Sequence, residues 1–194
     1  MPRNIDSLIQ GQYYHIYNRA IAGNVLFRED TNYTYFLARV EKYLLQSAEL
    51  LAYCLMPNHY HFLLKIVDNN FSSGMQSMAV SYALGYNKFY NQSGHLFQGI
   101  FQRKQVNDLN YLLHLSRYIH LNPVKAKLVE HPEEWIYSSY QGYIGISEPK
   151  IFDPLPILNI VSDQLQADIT TKQMSYQRFI DEWDFDYMDF KVIK

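Results

Sequence analysis

Leu50-Leu51-Ala52-Tyr53-Cys54-Leu55-Met56-Pro57-Asn58-His59-Tyr60-His61-Phe62-Leu63-Leu64-Lys65-Ile66 reads as two β-runs around a breaker. Proline cannot continue a central strand and asparagine favours turns, so Pro57-Asn58 ends the first run and starts the second. The stretch is therefore a β-hairpin. Before it, residues 12–17 are rich in β-formers and read as a first strand, followed by a loop over 18–30 with Gly23-Asn24 as its turn. Thr31 can cap a helix to about residue 47, with Phe36, Leu37, Val40 and Leu44 at helical spacing. After the hairpin comes an amphipathic helix over about 72–90, interrupted by Gly74 and Gly85, and then a candidate strand over 96–106 with Phe97 and Phe101 on one face. The order is β-α-β-β-α-β, an α/β (α+β) ferredoxin-like sandwich. Two helices cover one face of its antiparallel sheet, and the other face is left for a ligand or a further helix.

That further helix is expected from a cap at Asn107 or Asp108 to about Leu121, stopping at Pro123. Beyond it lie Trp135, the Tyr-Ser-Ser-Tyr stretch at 137–140, and a loop with Pro149, Pro154 and Pro156. Two amphipathic pieces follow, about 155–166 and 171–183. The expected organisation is one domain over 1–147 with an added helix, and a helical C-terminal extension over 148–194.

Composition narrows the class. The chain has 194 residues, 48% of them hydrophobic, which suits one well-buried core with an appendage. Its mean hydropathy of −0.27 and the lack of a long apolar run argue against a transmembrane helix. Residues 1–7 lack the apolar core of a signal peptide. A single cysteine, Cys54, excludes an internal disulfide, argues against a Cys-based zinc site and fits a reducing cytoplasm. The net charge of −2 does not announce a polyanion partner, but its distribution does more. Residues 88–127 carry six Lys/Arg against Asp108 alone, whereas 148–194 carry five against nine acidic residues. The basic middle reads either as a solvated face or as a polyanion site. The acidic tail reads either as a charged cover over that site or as helices packed on the body through Ile157, Leu158, Val161, Phe179, Ile180 and Trp183. Eighteen tyrosines suit a surface that stacks bases and equally a Tyr-rich core; Tyr13, Tyr82, Tyr86, Phe89 and Tyr90 are the candidates for stacking.

Two features carry chemistry. On a strand, residues two apart share a face, so His59 and His61 project together while Tyr60 points the other way. The pair reads as two legs of a metal site, or as two hydrogen-bonded histidines on a hairpin. On the last helix, positions four apart line up, so His114, Tyr118 and Asn122 form a polar stripe. Asn122, just before Pro123, has an amide oxygen that can turn toward a metal. A phenol with pKa near ~10 needs a base or a cation to act as a nucleophile at neutral pH. A divalent ion held by His59, His61 and Asn122 would polarise a phosphodiester beside Tyr118. Attack by tyrosine stores the bond energy as a phosphotyrosine ester, which suits breakage followed by rejoining.

Tyr14-His15-Ile16-Tyr17-Asn18-Arg19, Met56-Pro57-Asn58-His59-Tyr60-His61-Phe62-Leu63-Leu64, Phe97-Gln98-Gly99-Ile100-Phe101 and Arg117-Tyr118-Ile119-His120-Leu121-Asn122-Pro123-Val124-Lys125-Ala126 together resemble the REP-associated tyrosine transposases. These are single-tyrosine transposases with a His-hydrophobic-His pair. The resemblance spans about residues 12–145. It implies that His59 and His61 are metal ligands, that Asn122 is the third, and that Tyr118 becomes joined to a DNA 5′ phosphate. It also implies Mg²⁺ or Mn²⁺ without a nucleotide cofactor, and single-stranded DNA beside a stem-loop as substrate. His114 is a candidate to orient Tyr118 or shuttle its proton. Asn18, Arg19, Gln98, Arg103, Lys104, Arg117 and Lys125 are candidate DNA contacts. The protein is expected in the cytoplasm, at the nucleoid when on DNA, as a monomer or homodimer and without a membrane partner. Two rivals stay open: a single-stranded nucleic-acid-binding module without chemistry, and a rolling-circle replication initiator or relaxase.

Overall fold

A computed structural model describes residues 8–162 and 166–182; Trp183 lies outside them. Four strands, β1 (Tyr13–Arg19), β2 (Ala48–Met56), β3 (His59–Ile66) and β4 (Gln102–Val106), form one sheet in the order β2-β3-β1-β4. All three neighbouring pairs are antiparallel. With α1 (Asp30–Leu44) and α2 (Phe71–Phe89) this is the split βαβ arrangement expected from the hairpin outward. The tight turn at Pro57-Asn58 is held from outside. Leu26 N and Phe27 N both donate to Pro57 O, and Ala20 N donates to Asn58 O.

The two sheet faces have separate cores. Ile16, Tyr60, Phe62 and Leu64 pack with Phe36, Met78 and Tyr82 of the two helices. Cys54, Met56, Leu63 and Val106 face the other way, against Leu115 and Ile119. β2 keeps its alternation only through a bulge: Leu50 pairs with Leu64 and Ala52 with Leu63, so Leu51 is extra. Leu51 and Ala52 both then belong to the second core.

The glycines expected to interrupt α2 instead mark where it touches α1. A Cβ on Gly74 would lie 2.4 Å from Tyr43 O, and one on Gly85 2.5 Å from Tyr35 Oη. The helix runs through both because only glycine permits that approach. The fourth strand is shorter than expected. Gly99 has φ +80° and breaks the extended run, so 96–101 makes only one bridge, Phe97 to Ala20, before β4 begins at Gln102.

The second face of the sheet is covered by α3 (Leu109–Lys125), capped by Asp108, whose side chain accepts from Tyr111 N. Contrary to expectation, α3 does not stop before Pro123; it includes that proline and ends with Ala126 N donating to Asn122 O. In the last turn a proline forfeits a single hydrogen bond, and its fixed φ suits the helix. After a 3₁₀ turn (Pro132–Glu134), α4 (Tyr140–Tyr143), α5 (Leu155–Val161) and α6 (Ile169–Asp181) follow. Ile157, Leu158, Tyr176 and Ile180 are buried in the second core, with Val161 and Phe179 partly buried against it. The tyrosines divide accordingly: Tyr60, Tyr82, Tyr140, Tyr143 and Tyr176 are among the largest fully buried side chains. Of the stacking candidates, Tyr82 and Tyr86 are buried and Phe89 is exposed. No helix among the described residues is long and apolar enough to cross a membrane.

Candidate active site

The α3 face of the sheet carries the polar cluster. Register places Tyr17 of β1 opposite His61 of β3, and Arg19 opposite His59. Strand alternation adds His15 to the same face. His61 is 5% exposed, and its Nδ1 lies 2.9 Å from Nε2 of His15. The His15 ring is fully buried, stacks on Tyr17 at 4.7 Å between centroids, and lies 5.0 Å from the His61 ring. His59 Nδ1 lies 2.7 Å from Asn58 Oδ1, and its ring is 5.0 Å from that of His61.

Burial keeps these imidazoles neutral. It pulls the His15 pKa down to about 3, with Lys104 adding to the effect. His59 falls to about 4 through burial and the Arg19 cation. His61 lies well below its ordinary value through burial, then through His15 and His59. A neutral imidazole that donates its one N–H to the protein has its other nitrogen open as a lone-pair donor.

From α3, Tyr118 meets this cluster. Its ring stands edge-on to His61 with centroids 5.6 Å apart, and to His15 at 6.4 Å. One turn on, Asn122 is 7% exposed and its Nδ2 donates to Tyr118 O at 2.9 Å, leaving Oδ1. Burial raises the phenol pKa, and the neighbouring Asn122 amide works against that rise. Lys125 Nζ lies 5.8 Å from the Tyr118 ring centroid. Among the described residues no three His, Cys, Asp or Glu side chains form a metal-holding group.

The other candidate residues are dispersed. At the end of β1, Arg19 Nε donates to Gln98 Oε1, and Asn18 Nδ2 donates to Gly99 O at 3.2 Å. Those two pairs tie the 96–99 segment to the rim of the histidine face. On β4, Lys104 is opposite His15 and shares the site face, with Nζ 5.3 Å from the Tyr111 ring. Arg103 is opposite Ile16, on the α1/α2 side. Arg117 is 8% exposed; its guanidinium lies 3.3 Å from the Phe179 ring centroid and burial lowers its pKa to about 10. His114 also packs against Phe179, at 5.6 Å, and its Nδ1 has no hydrogen-bond partner among the described residues.

His15, Tyr17 and Asn58 are site neighbours beyond the sequence-based candidates. Alternation along β1 pairs His15 with Tyr17, but only the β1–β3 register shows that they face His61. No sequence pattern marks the buried network on the far side of α3. His120 Nδ1 and Tyr176 Oη are 2.7 Å apart, His120 Nε2 and Ser139 Oγ 2.7 Å, and Tyr176 Oη donates to Ser116 Oγ at 2.9 Å. Tyr53 N donates to Ser139 Oγ, so α3, α6, β2 and the 138–139 turn are joined at one point.

Among known proteins, the family model described as "Transposase IS200 like" matches residues 9–122. That span runs from just before β1 to Asn122. No curated protein matches the chain in sequence. One similar solved structure is a REP-associated tyrosine transposase bound to a REP hairpin. It aligns with a TM-score of 0.65 at 17% identity, covering 79% of this chain and 98% of that one. The likeness at that identity is one of fold.

Proposed function

The chain belongs to the IS200-like transposase family, and from that premise we propose that it nicks and rejoins single-stranded DNA with Tyr118 as nucleophile. The observation that carries this reading is the placement of the Tyr118 ring edge-on to His61, at 5.6 Å, from a helix lying across the histidine face. A tyrosine kept for packing alone has no need of two neutral imidazoles beside it.

His59, His61 and Asn122 are the residues that would hold a divalent cation, Mg²⁺ or Mn²⁺. Their donors fit. Each has its other polar atom engaged by the protein: His59 Nδ1 by Asn58, His61 Nδ1 by His15, and Asn122 Nδ2 by Tyr118 O. Two imidazole nitrogens and one amide oxygen are left, a mixed set that Mn²⁺ accepts and that leaves room for phosphate oxygen. When bound, the cation withdraws charge from the phosphodiester and stabilises the negative charge that develops on it.

The remaining steps belong to the chain. Tyr118 Oη attacks phosphorus; the new Oη–P bond forms as the P–O3′ bond breaks, and the phenolic proton ends on the departing 3′ oxygen. The product is a 5′-phosphotyrosine and a free 3′-OH. Joining is the reverse, with a 3′-OH attacking phosphorus and Tyr118 leaving. Lys125 Nζ, 5.8 Å from the Tyr118 ring centroid, sets a cation beside the nucleophile's ring, and the Asn122 amide works against the rise that burial imposes on the phenol pKa. Arg19, Gln98 and Lys104, around the histidine face, meet the DNA backbone. The DNA partner is a single strand next to a stem-loop; the structurally similar transposase is bound to a REP hairpin.

The test is direct. The protein is incubated with Mn²⁺ and single-stranded oligonucleotides from the flanks of its own gene, and covalent adducts are sought by denaturing gel and peptide mapping. An adduct on Tyr118 is expected. Binding without any adduct would support the non-catalytic module instead.

A further inference from the structure

We propose that His15 is a positioning residue for the metal: its buried ring holds His61 in the orientation and tautomer in which Nε2 is a bare lone pair. This rests on His61 being a ligand. A neutral imidazole has one N–H and one lone pair. For Nε2 of His61 to bind a cation, Nδ1 must carry the hydrogen, and a buried N–H needs an acceptor. The partner in place is Nε2 of His15, at 2.9 Å. Donation in the opposite direction would put the hydrogen on His61 Nε2 and close that nitrogen to a metal.

The placement of His15 is specific to that task. It lies two residues before Tyr17, the direct cross-strand neighbour of His61, so it is the diagonal neighbour on the same face. Tyr17 stacks on it with planes 26° apart, and its own plane is 18° from that of His61. Both rings therefore stand on central strands and are held in one relative orientation. His15 is no ligand itself, because Nε2 is engaged with His61. Its other nitrogen, Nδ1, is buried with no hydrogen-bond partner among the described residues. A residue retained only to fill that space would be an aromatic hydrocarbon, which leaves no polar atom unpaired. The unpaired nitrogen is tolerated because the opposite one has work to do. His59, at the edge of the site, draws the same service from Asn58 Oδ1. The two ligands are thus oriented by different partners, one local and one 46 residues away in sequence.

The test measures Mn²⁺ binding to the full chain without DNA, reading free Mn²⁺ by electron paramagnetic resonance. His15→Phe keeps the stack on Tyr17 and removes the acceptor; its Mn²⁺ Kd should rise about tenfold to hundredfold. His15→Gln, whose Oε1 reaches the position of Nε2, should recover most of the loss, which a merely structural role would not produce. Should His15→Phe fail to fold, His15→Asn, with an amide too short to reach His61, replaces it. Wild-type affinity in His15→Phe or His15→Asn overturns the proposal, as does a His15→Gln variant no better than either. His59→Ala separates the two levels of argument. If the wild type binds no Mn²⁺, or His59→Ala binds as well as the wild type, the metal reading fails and His15 with it. If His59→Ala loses binding while His15→Phe keeps it, the assignment of His15 alone fails.

Discussion

Tyr118 stands edge-on to His61, with ring planes at 81° and centroids 5.6 Å apart. The two residues reach each other from different layers, His61 from the centre of the sheet and Tyr118 from the helix laid across it. That crossing puts a phenol against a pair of imidazoles whose burial keeps them uncharged.

Tyr118→Phe should abolish nicking and the covalent adduct while keeping single-stranded DNA affinity. The ring still packs on His61 and His15, so stability should change by no more than ~1 kcal/mol. Adduct yield and thermal unfolding are the measurements. An undiminished adduct, or one mapped to another tyrosine, removes Tyr118 from the mechanism.

His59→Ala and His61→Ala should each eliminate cleavage at Mn²⁺ concentrations that saturate the wild type. Asn122→Ala should be milder and partly rescued by more Mn²⁺, because water can replace a neutral amide oxygen. Cleavage is read with and without a chelator. Full activity of either histidine variant in chelator would exclude a metal from the reaction.

His120 makes stability depend on pH. Its folded pKa is pulled to about 3 by burial, below the ordinary 6.5. The folded state thus refuses a proton that the unfolded chain accepts. Its contribution is complete above about pH 6.5 and is lost progressively as pH falls toward about 3. His15 and His59, at about 3 and about 4, act in the same direction. His120→Phe should therefore flatten only part of the acid-side slope of the unfolding midpoint. An unchanged slope would mean that His120 is protonated in the fold.

Tyr176→Phe deletes the hydroxyl that bonds both His120 and Ser116 and leaves buried groups without partners. The expected cost is about 1–3 kcal/mol, measured by denaturant unfolding. A cost near zero would mean that α6 is held by its apolar contacts alone.

Truncation before Pro149 removes Ile157, Leu158, Tyr176 and Ile180 from the second core. The shortened chain should be insoluble or unfolded. If instead it folds and binds single-stranded DNA more tightly, above all at low salt, the acidic tail is an electrostatic competitor.

By itself the sequence determined the strand and helix order, the hairpin at Pro57-Asn58 and the shared face of His59 and His61. These follow from local periods: two residues for a strand, about 3.6 for a helix, with proline and glycine as punctuation. The same rule placed Tyr118 one turn before Asn122. A local period relates side chains only within their own element, so what lies across from them is decided by register and packing. His15 and His61 meet because β1 pairs with β3 in one register; a slip of one residue would put His15 in the other core. The stripe of His114, Tyr118 and Asn122 illustrates the limit. Four residues turn a helix by about 40° beyond a full circle, so the stripe winds, and Phe179 of α6 covers its His114 end together with Arg117. Pro123 within α3 and the short β4 were likewise settled by the fold. A buried proline in the last turn forfeits a single backbone bond and its fixed φ suits the helix in the first, and the positive φ of Gly99 overrides an apolar run in the second.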